Sequence, residues 1–292
     1  MIQDHIRAAI ARMPTAIEAE VSTETRALYA PLHAVAAEGV SFDADLEYGP
    51  HARHRLDVRH IAGAPHHAIL IYVHGGGFTG GDKRSFANIG SYFAKAGILG
   101  ITMTYRLAPE ALWPAGAQDV AAMVAWARTN AARYNADASR IVVLGHSAGA
   151  SHCASFLFDP DIRGHEQVAG GVLVSGPGYT LSRERVKGSL LQYFGADESR
   201  YDRQSATRHV PGTKVPVLLA VAERDPDFLV LPTLDMAVHL TRRDGRCPPL
   251  YRLEGHNHFS PPSSIGTSDD DLGGAITRFV KGLTSVGAST GP

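Results

Sequence analysis

Residues 141–149 read Ile-Val-Val-Leu-Gly-His-Ser-Ala-Gly, a short apolar run followed by the pattern Gly-x-Ser-x-Gly. The run is typical of a buried strand, and the small residues after it are typical of a sharp turn into a helix. Gly145 and Gly149 keep Cβ atoms out of that turn, so that the hydroxyl of Ser147 projects above the sheet edge. The stretch therefore predicts a strand, a turn and a helix with a serine nucleophile at the apex.

A second glycine-rich motif lies upstream. Residues 68–73 form another apolar run, and His-Gly-Gly-Gly-Phe follows it at residues 74–78. Enzymes that carry a serine on a strand-to-helix turn have their oxyanion loop at this position. We predict that the N–H groups of Gly76, Gly77 and Ala148 stabilise negative charge on a substrate oxygen. His74 is expected to pin this loop rather than to act as a base.

A serine nucleophile requires a base, and the base requires a carboxylate that orients it. In α/β-hydrolases the acid and then the histidine follow the serine, at the ends of later strands. Residues 217–222 form an apolar run that leads into three carboxylates. Asp225 is the preferred acid because the proline after it stiffens the turn, and Glu223 and Asp227 are the alternatives.

The next strand-like run, residues 250–253, leads into His256 and His258. One of the two is expected to be the base. A metal site at this pair is the competing hypothesis, and it is disfavoured because the sequence shows no third ligand nearby. We predict neither a metal nor a cofactor.

The order of elements predicts an α/β fold. Residues 40–48 and 53–60 alternate polar and apolar side chains, as an antiparallel pair does. Six further strands are predicted at 68–74, 98–104, 140–144, 168–174, 215–222 and 249–253. Helical stretches fall between them, at 85–96, 118–134, 148–158, 229–243 and 272–283. This alternation predicts an eight-stranded, mostly parallel sheet with helices on both faces.

We expect one domain over residues 1–292. Residues 1–38 have a helical apolar period that Pro14 and Pro31 should interrupt, which predicts a small N-terminal cap of short helices outside the sheet. Residues 177–214 are long for a connection between strands and are expected to form part of the pocket wall.

Composition limits the classes of partner. The formal net charge is -1 with balanced signs, so bulk charge attracts neither nucleic acid nor an anionic membrane. No apolar run approaches the length of a membrane span or of a signal peptide. The two cysteines, Cys153 and Cys247, are too few for a disulfide framework and predict a reduced, cytoplasmic protein. An edge strand or the final helix would be the surface for a possible homodimer.

Taken together, these motifs resemble the hormone-sensitive-lipase-type branch of the α/β-hydrolase family, in which HGGGF and GxSAG occur in this order. Residues 105–110, Tyr-Arg-Leu-Ala-Pro-Glu, and residues 113–115, Trp-Pro-Ala, are similar to further segments of that branch. The resemblance implies a triad of Ser147, Asp225 and His258. It ranks His258 above His256, because the family's histidine is commonly followed by phenylalanine.

The sequence departs from that branch next to the serine, where His146 and Ala150 replace the usual aspartate and glycine. Gly-His-Ser-Ala-Gly resembles a neighbouring group of carboxylesterases and arylformamidase-like proteins. We therefore expect a serine carboxylesterase for short- to medium-chain esters, acting through an acyl-enzyme. An arylformamidase or other amidase with the same triad is the alternative, followed by a non-catalytic ligand-binding protein. Phe78, His146 and Tyr179 are expected to contact the small-molecule ester or amide.

Arg106 and Asp119 are charged residues in apolar surroundings. We predict a buried ion pair that supports the glycine loop, residues 74–78, from beneath. The alternative is two separate surface charges.

Overall fold

An eight-stranded sheet forms the centre of the fold in the computed structural model, which describes residues 2–162, 164 and 167–284. The strands are β1 (Ser41–Glu47), β2 (Arg55–His60), β3 (Ile69–Val73), β4 (Leu99–Met103), β5 (Ile141–His146), β6 (Gly170–Val174), β7 (Val217–Ala222) and β8 (Leu250–Leu253). Their spatial order is β1-β2-β4-β3-β5-β6-β7-β8. The β1–β2 and β2–β4 pairs are antiparallel and all other pairs are parallel, which confirms the predicted sheet.

Helices pack on both faces of this sheet and on one another. They are α1 (Ile2–Arg12), α2 (Ala19–Ala36), α3 (Ala87–Lys95), α4 (Ala115–Asn130), α5 (Ala148–Phe158), α6 (Gly188–Phe194), α7 (Tyr201–Gln204), α8 (Ala206–His209), α9 (Asp227–Asp244), α10 (Ser260–Ser264) and α11 (Gly273–Gly282). Short 3-10 helices lie at Lys83–Phe86, Ala131–Tyr134, Glu198–Arg200 and Val210–Gly212. Among the described helices, none has both the length and the apolar character that crossing a bilayer requires.

The two faces of the sheet have separate cores because side chains alternate along each strand. On β3, Ile69 and Ile71 pack in one core with residues of α4, α5 and α9. Leu70 and Tyr72 pack in the other with residues of α3 and α11. A strand buried on both faces reads as the continuous apolar run that was visible in the sequence.

Helices α1 and α2 pack on each other through Ile6, Ile10 and Tyr29. The prediction that Pro31 interrupts the second helix is wrong, because α2 continues through it to Ala36. Pro31 is exposed, so water can reach the carbonyl that loses its amide partner, while packing of the opposite face holds the helix. The tyrosine hydroxyl of Tyr29 also donates to Asp269 at 2.5 Å, which ties α2 to the loop before α11.

Candidate active site

Ser147 lies at the apex of the turn between β5 and α5. Its φ is 55° and its ψ is -124°, a conformation that L-residues rarely adopt. A Cβ on Gly145 would lie 2.5 Å from the Cα of Ala150, and one on Gly149 would lie 2.1 Å from the carbonyl oxygen of Val73. The two glycines are therefore required because neighbouring backbone fills the space on either side of the serine.

A continuous chain of hydrogen bonds runs from this serine to a carboxylate. The Nε2 atom of His258 lies 2.9 Å from the Ser147 Oγ, and its Nδ1 lies 2.8 Å from Oδ1 of Asp225. Nδ1–H donates to the carboxylate, which leaves Nε2 to accept from the serine hydroxyl. All three residues are buried. The structure thus brings together the three residues that the motifs predicted, in the geometry of a nucleophile, a base and an orienting acid.

Sequence reasoning missed one member of this cluster. The Oγ of Ser175, the residue after β6, donates to Oδ2 of Asp225 at 2.6 Å, and the N–H of Ala222 donates to the same oxygen at 2.8 Å. With the bond from His258, the carboxylate is fixed through both of its oxygens. Ser175 could have been found only from the rule that carboxyl ends of adjacent parallel strands meet at one edge of a sheet.

The alternative acids and the second histidine are not part of this hydrogen-bonded chain. Glu223 accepts from Arg252 at 2.8 Å and from the N–H of Gly255 at 2.6 Å. Asp227 is the first residue of α9. His256 is buried and its Nδ1 bonds to Ser260 at 2.8 Å. Within the described residues, no group of three His, Cys, Asp or Glu side chains could hold a metal ion.

The glycine loop lies directly against the serine. A Cβ on Gly75 would lie 2.9 Å from the Cβ of Ser147. Gly76 and Gly77 have φ values of 139° and 58°, which other residues rarely adopt. Among the described residues, no group accepts a hydrogen bond from the N–H of Gly76, Gly77 or Ala148. These three donors are thus available to an oxygen bound at Ser147.

His74 supports the loop from within. Its Nδ1 bonds to the carbonyl oxygen of Gly75 at 2.6 Å, and its ring stacks on Tyr105 at 4.4 Å between centroids. The Tyr105 hydroxyl donates to the His74 carbonyl at 2.8 Å. These contacts agree with a structural role for His74.

Asp119 and Arg106 form the predicted ion pair. The Nε of Arg106 donates to Asp119 at 2.9 Å, and the backbone N–H of Arg106 donates to the same carboxylate at 2.8 Å. His54, which lies in a polar stretch of sequence but is buried in the structure, adds a third bond through Nε2 at 3.1 Å. The carboxylate is buried, whereas Arg106 is partly exposed. The N–H of Ala108, two residues further, donates to the carbonyl of Phe78 at 2.9 Å, which links this cluster to the glycine loop.

Replacement of Asp119 by alanine should lower the free energy of unfolding by about 3 kcal/mol, because it leaves a guanidinium and an imidazole without their acceptor. Turnover should fall as well, since the segment that holds Phe78 loses its anchor. Denaturant unfolding and ester kinetics measure both effects. Glu110→Ala, which removes an exposed carboxylate from the same segment, should stay within about 0.5 kcal/mol of wild type. If Asp119→Ala unfolded at the same denaturant concentration as the wild type, Asp119 would not support the glycine loop.

Two cavities meet at Ser147 and His258, with volumes of about 450 Å³ and 600 Å³. The first lies between the glycine loop and α2, and His146 lines it. The second extends towards α6 and α9, and Phe78 lines it. Residues 177–214 contribute to the wall of the second cavity, and α2 with the two residues before it contributes to the wall of the first.

The predicted substrate contact at Tyr179 is wrong. The side chain is 0% exposed and packs in the core beneath the site. A Cβ on Gly176 would lie 2.3 Å from its ring, so the ring is enclosed by the connection after β6. In sequence, an aromatic residue within a long connection resembles a pocket residue. Here the Tyr179 ring instead anchors the connection to the sheet.

The N-terminal helices contact the loop that carries His258. The side-chain amide of Asn257 donates to Oγ1 of Thr25 on α2 at 2.8 Å, and both side chains are buried. The Oδ1 of Asn257 accepts from the N–H groups of Phe259 and Ser260, each at 3.1 Å. Thr25 therefore orients the residue that shapes the turn around the histidine.

The variant Thr25→Val should lose about 1–3 kcal/mol of stability, because it leaves a buried amide donor without an acceptor. We expect kcat to fall several-fold with little change in KM, as the histidine turn loosens. Thr23→Val is the matched control, since that hydroxyl is exposed and bonds only within α2. Equal kcat values for the two variants would show that α2 does not position the histidine.

Buried histidines should make the fold sensitive to acid. Burial lowers the pKa of His74 to about 4 and that of His152 to about 3. His152 packs against the rings of Phe78, Tyr105 and Tyr193, and neither of its ring nitrogens has a partner among the described residues. Below the ordinary value of 6.5 the unfolded chain takes up protons that the folded chain does not. The free energy of unfolding therefore keeps its full value above about pH 6.5 and declines as the pH falls towards these lowered pKa values.

In urea unfolding between pH 6 and pH 5, His152→Leu should reduce this pH dependence by about 1.4 kcal/mol per pH unit, the contribution of one proton. A plot of unfolding free energy against pH for each protein measures the slopes. Equal slopes for the variant and the wild type would show that His152 does not contribute to this pH dependence.

Comparison with known proteins agrees with this architecture. A family model described as BD-FAE matches residues 57–158. The esterase LipQ of Mycobacterium tuberculosis is 33% identical over 146 residues, which are 47% of this chain and 34% of LipQ. The carboxylesterase NlhH of the same organism is 38% identical over 82 residues, 28% of this chain and 26% of NlhH. The chain thus covers well under two thirds of either relative.

Solved structures show the same fold. An esterase from the bacterial hormone-sensitive lipase family superposes with a TM-score of 0.67 at 21% identity, over 96% of each chain. Esterase B from Lactobacillus Rhamnosis superposes with a TM-score of 0.71 at 16% identity, over 96% of this chain and 95% of that one. The sheet order and the serine turn define the α/β-hydrolase fold. Within that fold, the sequence matches are to proteins named esterase or carboxylesterase.

Proposed function

We propose that the protein is a serine carboxylesterase that hydrolyses short- to medium-chain carboxylic esters through an acyl-enzyme intermediate. The observation that carries this proposal is the hydrogen-bonded chain from Ser147 through His258 to Asp225, at a strained turn that faces two cavities. The esterase names of the matched relatives support the same class of bond.

The proposed reaction follows from this geometry. The Oγ of Ser147 attacks the ester carbonyl carbon while Nε2 of His258 takes the hydroxyl proton. Asp225 stabilises the imidazolium, and the free N–H groups of the glycine loop and of Ala148 face the charged oxygen. The imidazolium then gives its proton to the departing alcohol oxygen, which leaves the acyl group on the serine. A water molecule, deprotonated by the same imidazole, releases the acid and restores the hydroxyl.

The cavity sizes support the chain-length proposal. A volume of about 600 Å³ suits a moderate acyl or alcohol group, and pockets of this range bind small molecules. Neutral substrates of both ester and amide type would reach the serine through the same opening, so the bond that is cleaved requires a direct test.

A panel of p-nitrophenyl esters from acetate to palmitate, with an N-formyl arylamine beside it, tests the proposal. We expect the highest kcat/KM among the short and medium esters, and slower cleavage of the formamide, whose nitrogen is the poorer leaving group. A maximum at palmitate would refute the chain-length proposal. A preference for the formamide would replace the esterase with an arylformamidase.

We further propose a reducing, cytoplasmic location. Cys247 is exposed and Cys153 is buried, and both thiols are free. An exposed free thiol suits a reducing compartment. A homodimer formed through the edge strand or the last helix stays a hypothesis that light scattering of the purified protein would decide.

A further inference from the structure

The smaller cavity beside Ser147 contains an arginine that the proposed reaction does not use. Arg26 lies on α2 and lines this cavity together with the serine and the glycine loop. Among the described lining residues, Arg26 is the one lysine or arginine and Glu18 is the one carboxylate. No ion pair joins Arg26 to a carboxylate within the described part of the chain.

The charge of Arg26 is not neutralised from within the cavity. Glu18 precedes the first residue of α2, eight residues from Arg26, which corresponds to a separation of about 12 Å along a helix. The neighbouring His146 is buried, and burial lowers its pKa well below the usual range, so this imidazole is neutral at pH 7. The cavity therefore has a positive charge on its α2 side.

Arg26 is exposed, and its guanidinium lies over an aromatic ring. Its carbon lies 5.4 Å from the centroid of the Phe86 ring, which lines the same cavity. Contact between the guanidinium and an aromatic ring leaves the in-plane N–H donors free. A planar fork of N–H donors matches a carboxylate in two parallel hydrogen bonds, and such charge-assisted bonds are about twice as strong as neutral ones.

We propose that Arg26 binds a carboxylate on the substrate, so that Ser147 acts preferentially on esters in which one moiety carries a negative charge, such as a monoester of a dicarboxylic acid. This proposal rests on the proposed esterase function. The second cavity shares the serine and His258. Phe228 and Leu231 give it apolar walls, and its charged lining residues have both signs: Glu184 and Asp227 are acidic, Lys187 is basic, and Arg185 is paired with Asp235 at 2.8 Å. The anionic moiety thus occupies the α2 side and the apolar moiety the α9 side of the reacting carbonyl.

Two pairs of esters test this proposal, because either moiety can carry the charge. For the acyl side, p-nitrophenyl hydrogen adipate is compared with p-nitrophenyl heptanoate. For the alcohol side, 4-acetoxybenzoate is compared with 4-acetoxybenzamide. The variant is Arg26→Gln, with Arg26→Lys as the variant that keeps the charge. Arg12→Gln is the matched control, since it removes an exposed arginine from α1 that does not line the cavity.

The measured quantity is the ratio of kcat/KM for the anionic ester to that for its neutral counterpart. In one of the two pairs, Arg26→Gln should lower this ratio about tenfold, mainly by raising KM for the anionic ester. The ratio for Arg26→Lys should lie between those of Arg26→Gln and the wild type. The ratio for Arg12→Gln should equal that of the wild type. Adipate should also inhibit neutral-ester hydrolysis more weakly in Arg26→Gln than in wild type.

Unchanged ratios in both pairs for Arg26→Gln would overturn the role of the arginine while the esterase function stands. Failure of the wild-type protein to hydrolyse any of the four esters would instead contradict the esterase function, and the arginine proposal with it.

Discussion

Replacement of Ser147 by alanine should reduce kcat on the order of 10⁶-fold, as loss of the nucleophile does in serine hydrolases generally. The Oγ of Ser147 is the atom that bonds to His258, and alanine offers nothing in its place. The backbone conformation of the turn should persist, because alanine is no bulkier than serine. Residual catalysis over water should remain from the N–H donors of the glycine loop.

Steady-state hydrolysis of p-nitrophenyl butyrate measures this effect, with circular dichroism and thermal unfolding as checks on the fold. Ser85→Ala is the matched control, because Ser85 is an exposed serine outside the cavities. It should stay within about twofold of the wild type. Retention of more than about one hundredth of wild-type activity in Ser147→Ala would mean that another group performs the attack.

Replacement of Asp225 by asparagine should reduce kcat about 10⁴-fold. An amide nitrogen opposite Nδ1 of His258 would donate rather than accept, which favours the tautomer with the proton on Nε2. That tautomer cannot take the proton of the serine. The asparagine should take this orientation because its remaining oxygen, at the Oδ2 position, keeps the bonds from the hydroxyl of Ser175 and the N–H of Ala222.

The comparison that matters is with Asp227→Asn, which removes the alternative acid two residues away. It should cost no more than about tenfold, because Asp227 is not part of the hydrogen-bonded chain to His258. Parallel measurement of kcat and of unfolding free energy separates loss of the tautomer from loss of stability. A larger loss of kcat in Asp227→Asn than in Asp225→Asn would show that the acid is misassigned.

Much of the fold could be predicted from local patterns. Six mainly apolar runs indicated strands of a mostly parallel sheet, because such strands are buried on both faces. Five of them are buried along their whole length, whereas β8, at the edge of the sheet, is largely exposed. The two alternating segments indicated the antiparallel edge. The serine turn and the glycine loop were visible because each needs glycines at fixed places. The order of chemical groups after the serine then selected Asp225 and His258.

Other parts of the site depend on contacts between distant segments. Ser175 approaches Asp225 because β6 and β7 are neighbours, and the sequence does not state which strands are adjacent. Thr25 and Arg26 approach the site because α2 packs across its opening, which no motif encodes. The prediction that Pro31 ends the helix was wrong for the same reason, since packing between distant segments decides whether a helix continues through a proline. The assignment of residues 1–292 to one domain stays a prediction.

The central claim is that Ser147 is the nucleophile of a serine hydrolase, and its most direct test is reaction with a fluorophosphonate probe at neutral pH. Intact mass spectrometry and peptide mapping of the treated protein measure how many groups are attached and where. We predict one equivalent on Ser147, and none on the Ser147→Ala variant. A protein that stays unlabelled, or that carries the probe on another residue, would contradict the claim.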